Sequence, residues 1–209
     1  DILQNLLNES TVASYKKKEV IFHSRTRTEF VYFVLSGEVM LYNLTKHGNR
    51  KVIFILGKGR LLNQSIVSKK PNALFGEAVC PVQALKIPEG VFLRLMEQCH
   101  ELTYSILREY ERNLWRMGHQ LKNTTGNMQT ERKIAAKLWK LGRDFGVETE
   151  EGVMVDIDLT ITLMADLVGV PRENVSRACK VLTDRGLIRY SSKRFILTDF
   201  DGLADFYKM

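Results

Sequence analysis

Thr160-Ile161-Thr162-Leu163-Met164-Ala165-Asp166-Leu167-Val168-Gly169-Val170-Pro171-Arg172-Glu173-Asn174-Val175-Ser176-Arg177-Ala178-Cys179-Lys180-Val181-Leu182-Thr183-Asp184-Arg185-Gly186 reads as two short helices about a tight turn. Thr162 is the expected N-cap of the first, its hydroxyl accepting from an orphan N–H, with Leu163 and Leu167 as the apolar stripe. Gly169 should stop that helix in the left-handed conformation, Pro171 should open the second, and Gly186 should close it. Val175, Ala178 and Leu182 recur at helical spacing and should pack inward. Arg172, Glu173, Ser176, Arg177 and Lys180 then share the opposite face. Those residue types suit base edges: Arg is bidentate to guanine, Glu accepts from the cytosine amine, and Ser can do either. An isolated helix with such a face is ordinarily just solvated. The preceding helix and the short turn with Gly and Pro decide for a DNA-recognition helix.

Asp158-Leu159-Thr160-Ile161-Thr162 with Val170-Pro171-Arg172-Glu173-Asn174-Val175-Ser176-Arg177 resembles the helix-turn-helix of the Crp–Fnr family of bacterial transcription regulators. Their recognition helix carries an R-E-x-x-[SG]-R signature. The similarity extends through Leu182, Gly186-Leu187-Ile188 and a following hairpin. It implies a homodimer on palindromic double-stranded DNA with half-sites of the TGTGA or TTGA type, contact with RNA polymerase, and Thr162 and Asn174 among the DNA-binding residues. The hairpin is read as Leu187–Tyr190, a turn at Ser191-Ser192, and Lys193–Leu197. Its tip residues Ser192, Lys193 and Arg194 are placed for phosphate oxygens.

Upstream, Val20-Ile21-Phe22, Phe30–Leu35, Val39–Tyr42, Val52–Leu56 and Ala84–Ile87 are β-branched and aromatic runs between Gly-rich turns. Short strands at that spacing predict a double-sheet roll. Phe30-Val31-Tyr32-Phe33-Val34-Leu35-Ser36-Gly37-Glu38-Val39 resembles a segment of cyclic-nucleotide-binding domains, so this part is similar to the family's sensor. In nucleotide-binding members a G-E pair and a downstream R-S pair hold ribose and phosphate. The matching positions here are Asn63-Gln64 and, counting back from Ile87, Asn72-Ala73. An anion left without its arginine is expensive to bury, so tight cyclic AMP binding is not expected. Neutral Asn63, Gln64 and Asn72, lined by Phe54, Leu62 and Leu74, suit a small, partly apolar effector of unknown identity.

From Glu101 to about Asn123 a helix free of proline follows, and Leu107, Tyr110, Leu114, Met117 and Leu121 keep an a/d heptad. The resemblance implies that this helix joins two subunits, with Trp115, Gly118 and His119 closing the effector pocket. Asn123–Asn127 reads as a hinge, Arg132–Leu141 as a core helix with Ile134, Leu138 and Leu141 inward, Gly146–Gly152 as an acidic loop, and Val153–Ile157 as a strand. The fold class is therefore α+β: a roll over residues 1–100, a dimerisation helix over 101–124, and a winged helix-turn-helix over 125–209.

Composition bounds the remaining classes. With 44% hydrophobic and 26% charged residues the chain is an ordinary globular one, with no apolar run of transmembrane length and no signal-peptide pattern, so a cytoplasmic location is expected. Ile2, Leu3, Leu6 and Leu7 keep helical spacing from the first residue, so the chain reads as starting inside a helix. The formal net charge is +7, yet residues 125–209 hold thirteen basic and thirteen acidic side chains, so the whole excess lies upstream. Cys80, Cys99 and Cys179 are too scattered for a disulfide framework, a zinc site or an iron–sulfur cluster, and read as inert buried thiols. His23, His47, His100 and His119 are candidate haem ligands that no pattern singles out. No metal is expected. An enzyme on a cupin-like roll would need clustered ligands that His23, His47 and Glu38 do not make, so no catalytic activity is expected. A regulatory subunit using the winged helix to dock on protein is the alternative to DNA binding.

Overall fold

The computed structural model describes residues 2–124 and 128–208. The chain divides into two compact units, residues 1–119 and 120–209. The first is built on two antiparallel sheets. One holds β1 (Thr11–Tyr15), β7 (Val82–Pro88) and β3 (Phe30–Ser36) in the order β1-β7-β3. The other holds β2 (Val20–Phe22), β6 (Phe75–Ala78), β4 (Val39–Leu44) and β5 (Arg50–Leu56) in the order β2-β6-β4-β5. Strand alternation sends Tyr32, Val34 and Ala84 from the first sheet against Phe22, Val39, Leu41, Leu56 and Ala78 from the second. That shared core makes the expected roll. β1 is additional to the sequence-read strands, because that short segment has no long β-branched run of its own.

The outer face of the first sheet is covered by helices. Val31 and Ile87 pack with Val91, Phe92 and Leu95 of α2 (Glu89–Gln98) and with Ile106 of α3 (His100–Thr124). Within the described residues α3 continues through Asn123 and Thr124, where a hinge was expected; 125–127 lie outside those residues. Tyr110 joins the roll side of α3, its hydroxyl buried, instead of the outward heptad face. Burial pushes that phenol up to about 12. Leu107, Leu114, Met117 and Leu121 remain exposed, between 44% and 71%.

In the second unit, α4 (Thr130–Phe145) buries Ile134, Ala135, Leu138 and Leu141. Trp139 stacks on Phe200 of α7 (Phe200–Lys208) at 5.7 Å. A four-stranded sheet runs β10-β11-β9-β8, with β8 (Gly146–Thr149), β9 (Gly152–Val155), β10 (Arg189–Ser191) and β11 (Arg194–Leu197). Gly146–Gly152 is thus a hairpin and not a loop: β8 lacks an apolar alternation and borrows its order from pairing with β9. The register puts its acidic turn, Glu150-Glu151, at the opposite end of the sheet from the β10–β11 turn.

Gly142 lets α4 approach that sheet. A Cβ there would lie 2.5 Å from Leu197 Cδ1 and 2.9 Å from Phe200 Cε2, closer than real Cβ atoms come to such neighbours. Gly142→Val should therefore cost about 2–3 kcal/mol by overpacking. A calorimetric scan is expected to show a lowered transition for the second unit and an unchanged one for the roll; equal shifts in both would refute this.

Candidate nucleic-acid interface

The two helices of the opening stretch are α5 (Ile161–Val168) and α6 (Arg172–Asp184). The N-cap of α5 is Thr160, whose Oγ1 accepts from Leu163 N at 3.0 Å, so Thr162 is an exposed first-turn residue and not the cap. Both threonines stand before an apolar run, and only backbone geometry separates them. The helix buries Met164, Ala165 and Leu167, with Leu163 half-buried, a face turned slightly from the expected one. Gly169 takes φ 77° and its N–H bonds Ala165 O, which ends α5 as expected. Pro171 caps α6, and its missing N–H costs nothing there. At the other end Leu187 N bonds Leu182 O and Gly186 N bonds Thr183 O, a Schellman closure with Gly186 at φ 72°.

α6 shows two chemically opposite faces. Val175, Ala178, Cys179 and Leu182 are buried, while Arg172, Glu173, Ser176, Arg177 and Lys180 are exposed together. Asn174 is half-buried, and its Oδ1 accepts from Arg177 Nη2 at 2.6 Å. The bond uses one of the two acceptor sites on that oxygen and holds the Arg177 guanidinium beside Asn174. The turn of the wing is Ser192-Lys193, one residue later than read from the sequence, with φ of 50° and 63°. That is the pattern of a type I′ hairpin turn, usually given to Asn-Gly. Lys193 O accepts from Leu159 N at 2.9 Å, which ties the wing tip to the chain just before α5. Ser192 and Lys193 are exposed; Arg194 is half-buried and ion-paired with Asp156, so it is not presented as the other two are.

In the roll, the expected effector residues are largely occupied by their own backbone. Asn63 accepts from Tyr32 N at 2.8 Å and donates to Phe30 O at 2.9 Å. Gln64 donates to Leu62 O and accepts from Leu74 N. Leu62 is fully buried in the roll core, with Phe54 and Leu74 packed against it. Asn72 is 2% exposed, and among the described residues its Nδ2 has no hydrogen-bond partner. Trp115 and His119 are exposed, and their rings meet in a tilted contact with centroids 4.0 Å apart. Cys80 and Cys99 are half-buried rather than buried; Cys80 Sγ donates to Glu38 Oε2 at 2.9 Å. The staple role of Asn63 and Gln64 leaves no sequence signal, because it depends on which backbone groups lie alongside.

Two family models match the chain: Cyclic nucleotide-binding domain over residues 12–99 and Crp-like helix-turn-helix domain over 132–206. The chain is 24% identical over 191 residues to the CRP-like cAMP-activated global transcriptional regulator of Mycobacterium tuberculosis, covering 91% of this chain and 85% of that protein. It is likewise 24% identical over 186 residues to the global nitrogen regulator of Nostoc sp., covering 88% and 83%. The solved structure of FixK2 from Bradyrhizobium japonicum superposes with a TM-score of 0.81 at 19% identity, over 94% of this chain and 96% of that one. A sensor-type roll followed by a winged helix-turn-helix defines a DNA-binding transcription regulator. The chain belongs to the Crp–Fnr family of these regulators.

Cys179 gives α6 a chemical signature. Burial pushes its thiol up to about 11 from the ordinary 9.0. The folded state thus holds a proton that the unfolded chain releases earlier, so the stabilisation is complete below pH 9 and is lost as pH rises through about 11. Alkylation mapped by mass spectrometry at pH 8.5 should label Cys179 only after denaturation; rapid labelling of the native chain would contradict the burial.

Proposed function

We propose that the protein is a homodimeric regulator that reads a palindromic duplex with Arg172, Glu173, Ser176, Arg177 and Lys180, under control of a small effector other than cyclic AMP. The observation that carries this reading is the two-faced α6, apolar side buried and cationic side exposed. Thr162 at the exposed start of α5, with Ser192 and Lys193 at the wing tip, supplies phosphate contacts. Asn174 acts by aiming Arg177. Residues 1–100 sense, 101–124 pair subunits and 125–209 read DNA, although the division into compact units falls inside α3. The exposed stripe of Leu107, Leu114, Met117 and Leu121 supports subunit pairing, since such a surface is costly to leave wet. Contact with RNA polymerase and a cytoplasmic site of action belong to the same reading.

The absence of the phosphate arginine supports the effector claim. Where the family resemblance would put an R-S pair, this chain has Asn72-Ala73, and Asn72 offers one neutral buried donor. Such a donor suits a ligand carbonyl or ether and cannot neutralise a phosphate. A ligand shifts DNA affinity only as far as it prefers the DNA-competent state.

Arg177→Ala should cost roughly 1–3 kcal/mol and relax selectivity at one base pair, and Asn174→Ala should relax the same position by less. A selection from randomised duplexes followed by titration reads both; relaxation at different positions would separate the two residues. Lys193→Gly offers a sharper split. It relieves the left-handed backbone, so the melting temperature should rise, while affinity for all sequences falls alike. Loss of stability together with affinity would overturn the phosphate role. Calorimetry with cyclic AMP is expected to show no micromolar binding.

A further inference from the structure

Three helices of the second unit border a cavity of about 520 Å³. Its lining includes Thr130, Glu131 and Arg132 of α4, Val181 of α6, Arg185 just past the end of α6, and Phe206 of α7. The packing of the unit explains why space remains there. The buried stripe of α4 starts only at Ile134, and that of α6 ends at Leu182. The first turn of α4 and the last turn of α6 therefore stand clear of the core. Sites for small molecules commonly enclose roughly 300–1,000 Å³, so the cavity has room for a one- or two-ring compound.

The wall chemistry is uneven. Arg185 Cζ lies 5.0 Å from the centre of the Phe206 ring, a cation–π contact that positions the guanidinium and supplies no acceptor to its N–H groups. Arg132 is half-buried. Among the described residues neither arginine has an ion pair or a side-chain hydrogen bond, and the half-buried Glu131 has none either. Elsewhere in the unit Arg177, Arg189 and Arg194 each meet an acceptor, on Asn174, Glu151 and Asp156. The cavity thus holds two guanidiniums against one carboxylate, an excess of one positive charge. Beside them Val181 and Phe206 offer an apolar surface, and Val181 is 37% exposed.

We infer that this cavity binds a small aromatic monocarboxylate. Arg132 and Arg185 receive the carboxylate, since the planar guanidinium fork matches its two oxygens with charge-assisted hydrogen bonds. The ring rests against Val181 and Phe206. One excess positive charge balances one negative charge, and Glu131 repels a second, so a dianionic phosphate is the poorer guest. The site lies wholly within the second unit and is separate from the effector read into the roll. It stands whether or not α6 reads DNA. A ligand that touches α4, α6 and α7 together stabilises that unit by mass action.

The test uses the full chain with naphthylacetate, and with naphthylacetamide and naphthyl phosphate as matched neutral and more highly charged probes. In a calorimetric scan at millimolar probe, naphthylacetate should raise the transition of the second unit and leave that of the roll in place. Titration should show the amide and the phosphate binding at least about 10-fold more weakly than the carboxylate. Arg132→Gln and Arg185→Gln should each weaken naphthylacetate about 10-fold, and Phe206→Leu should weaken it by less. The two arginine variants decide the matter if Phe206→Leu destabilises α7. No shift with naphthylacetate overturns the inference, and so does a shift of the roll alone, which would put the ligand there. Equal binding of the amide removes the role of charge, and tighter binding of the phosphate replaces the ligand class; either result overturns it. Affinity that survives both arginine substitutions places the probe elsewhere and overturns it as well.

Discussion

Burial of the apolar side of α6 is the constraint on which the reading unit depends. Val175, Ala178, Cys179 and Leu182 lie in the core of that unit with Ile134, Leu138 and Leu141 of α4, and they hold a helix whose other side consists of polar and charged groups. Each large aliphatic side chain removed from water contributes roughly 1.5–3 kcal/mol, enough to outweigh repulsion among a few solvated cations. The helix needs firm ends as well, since an apolar stripe fixes rotation but not length. Pro171 at the start and the Gly186 closure at the finish supply them.

The roll rests on a different principle. Its core is made by period-two alternation from two sheets, and its irregular segment is held by side-chain amides serving backbone groups. Asn63 bonds an N–H and a C=O of β3, and Gln64 ties Leu62 to Leu74. Irregular backbone inside a core must find partners for its polar groups. Here amide side chains meet that need at the positions where the family resemblance would put a glycine and a glutamate. This gives the cassette a structural use independent of any ligand, and leaves the Asn72 amide as an interior group with unused bonding capacity.

What could be read from the sequence followed from how local each feature is. The β-branched runs announced β2, β3, β4, β5 and β7, and the Gly169 and Pro171 punctuation announced the turn between α5 and α6, because each depends on a few adjacent residues. Thr162 reads as the N-cap where Thr160 is, because two threonines two residues apart are equivalent until one hydroxyl meets an N–H. β8 is hidden because its order comes from β9, and Tyr110 reads as outward because a heptad does not say which neighbour is the roll. The wing turn sits one residue later than it reads because Ser192 and Lys193 lack the glycine that usually marks such a turn. Arg194 looks available for phosphate because Asp156, its partner, is distant in sequence.

The opposed ends of the sheet in the reading unit have one more consequence. Acidic side chains at Glu148 and Glu150 lie toward the β8–β9 turn, where Glu151 is ion-paired with Arg189, while Lys193 lies at the other end. A body with little net charge but separated positive and negative poles carries a dipole moment. In the field of a duplex such a body experiences a torque before it experiences much attraction. The unit would rotate its cationic pole toward DNA during approach, so that a larger share of encounters begins in the productive orientation.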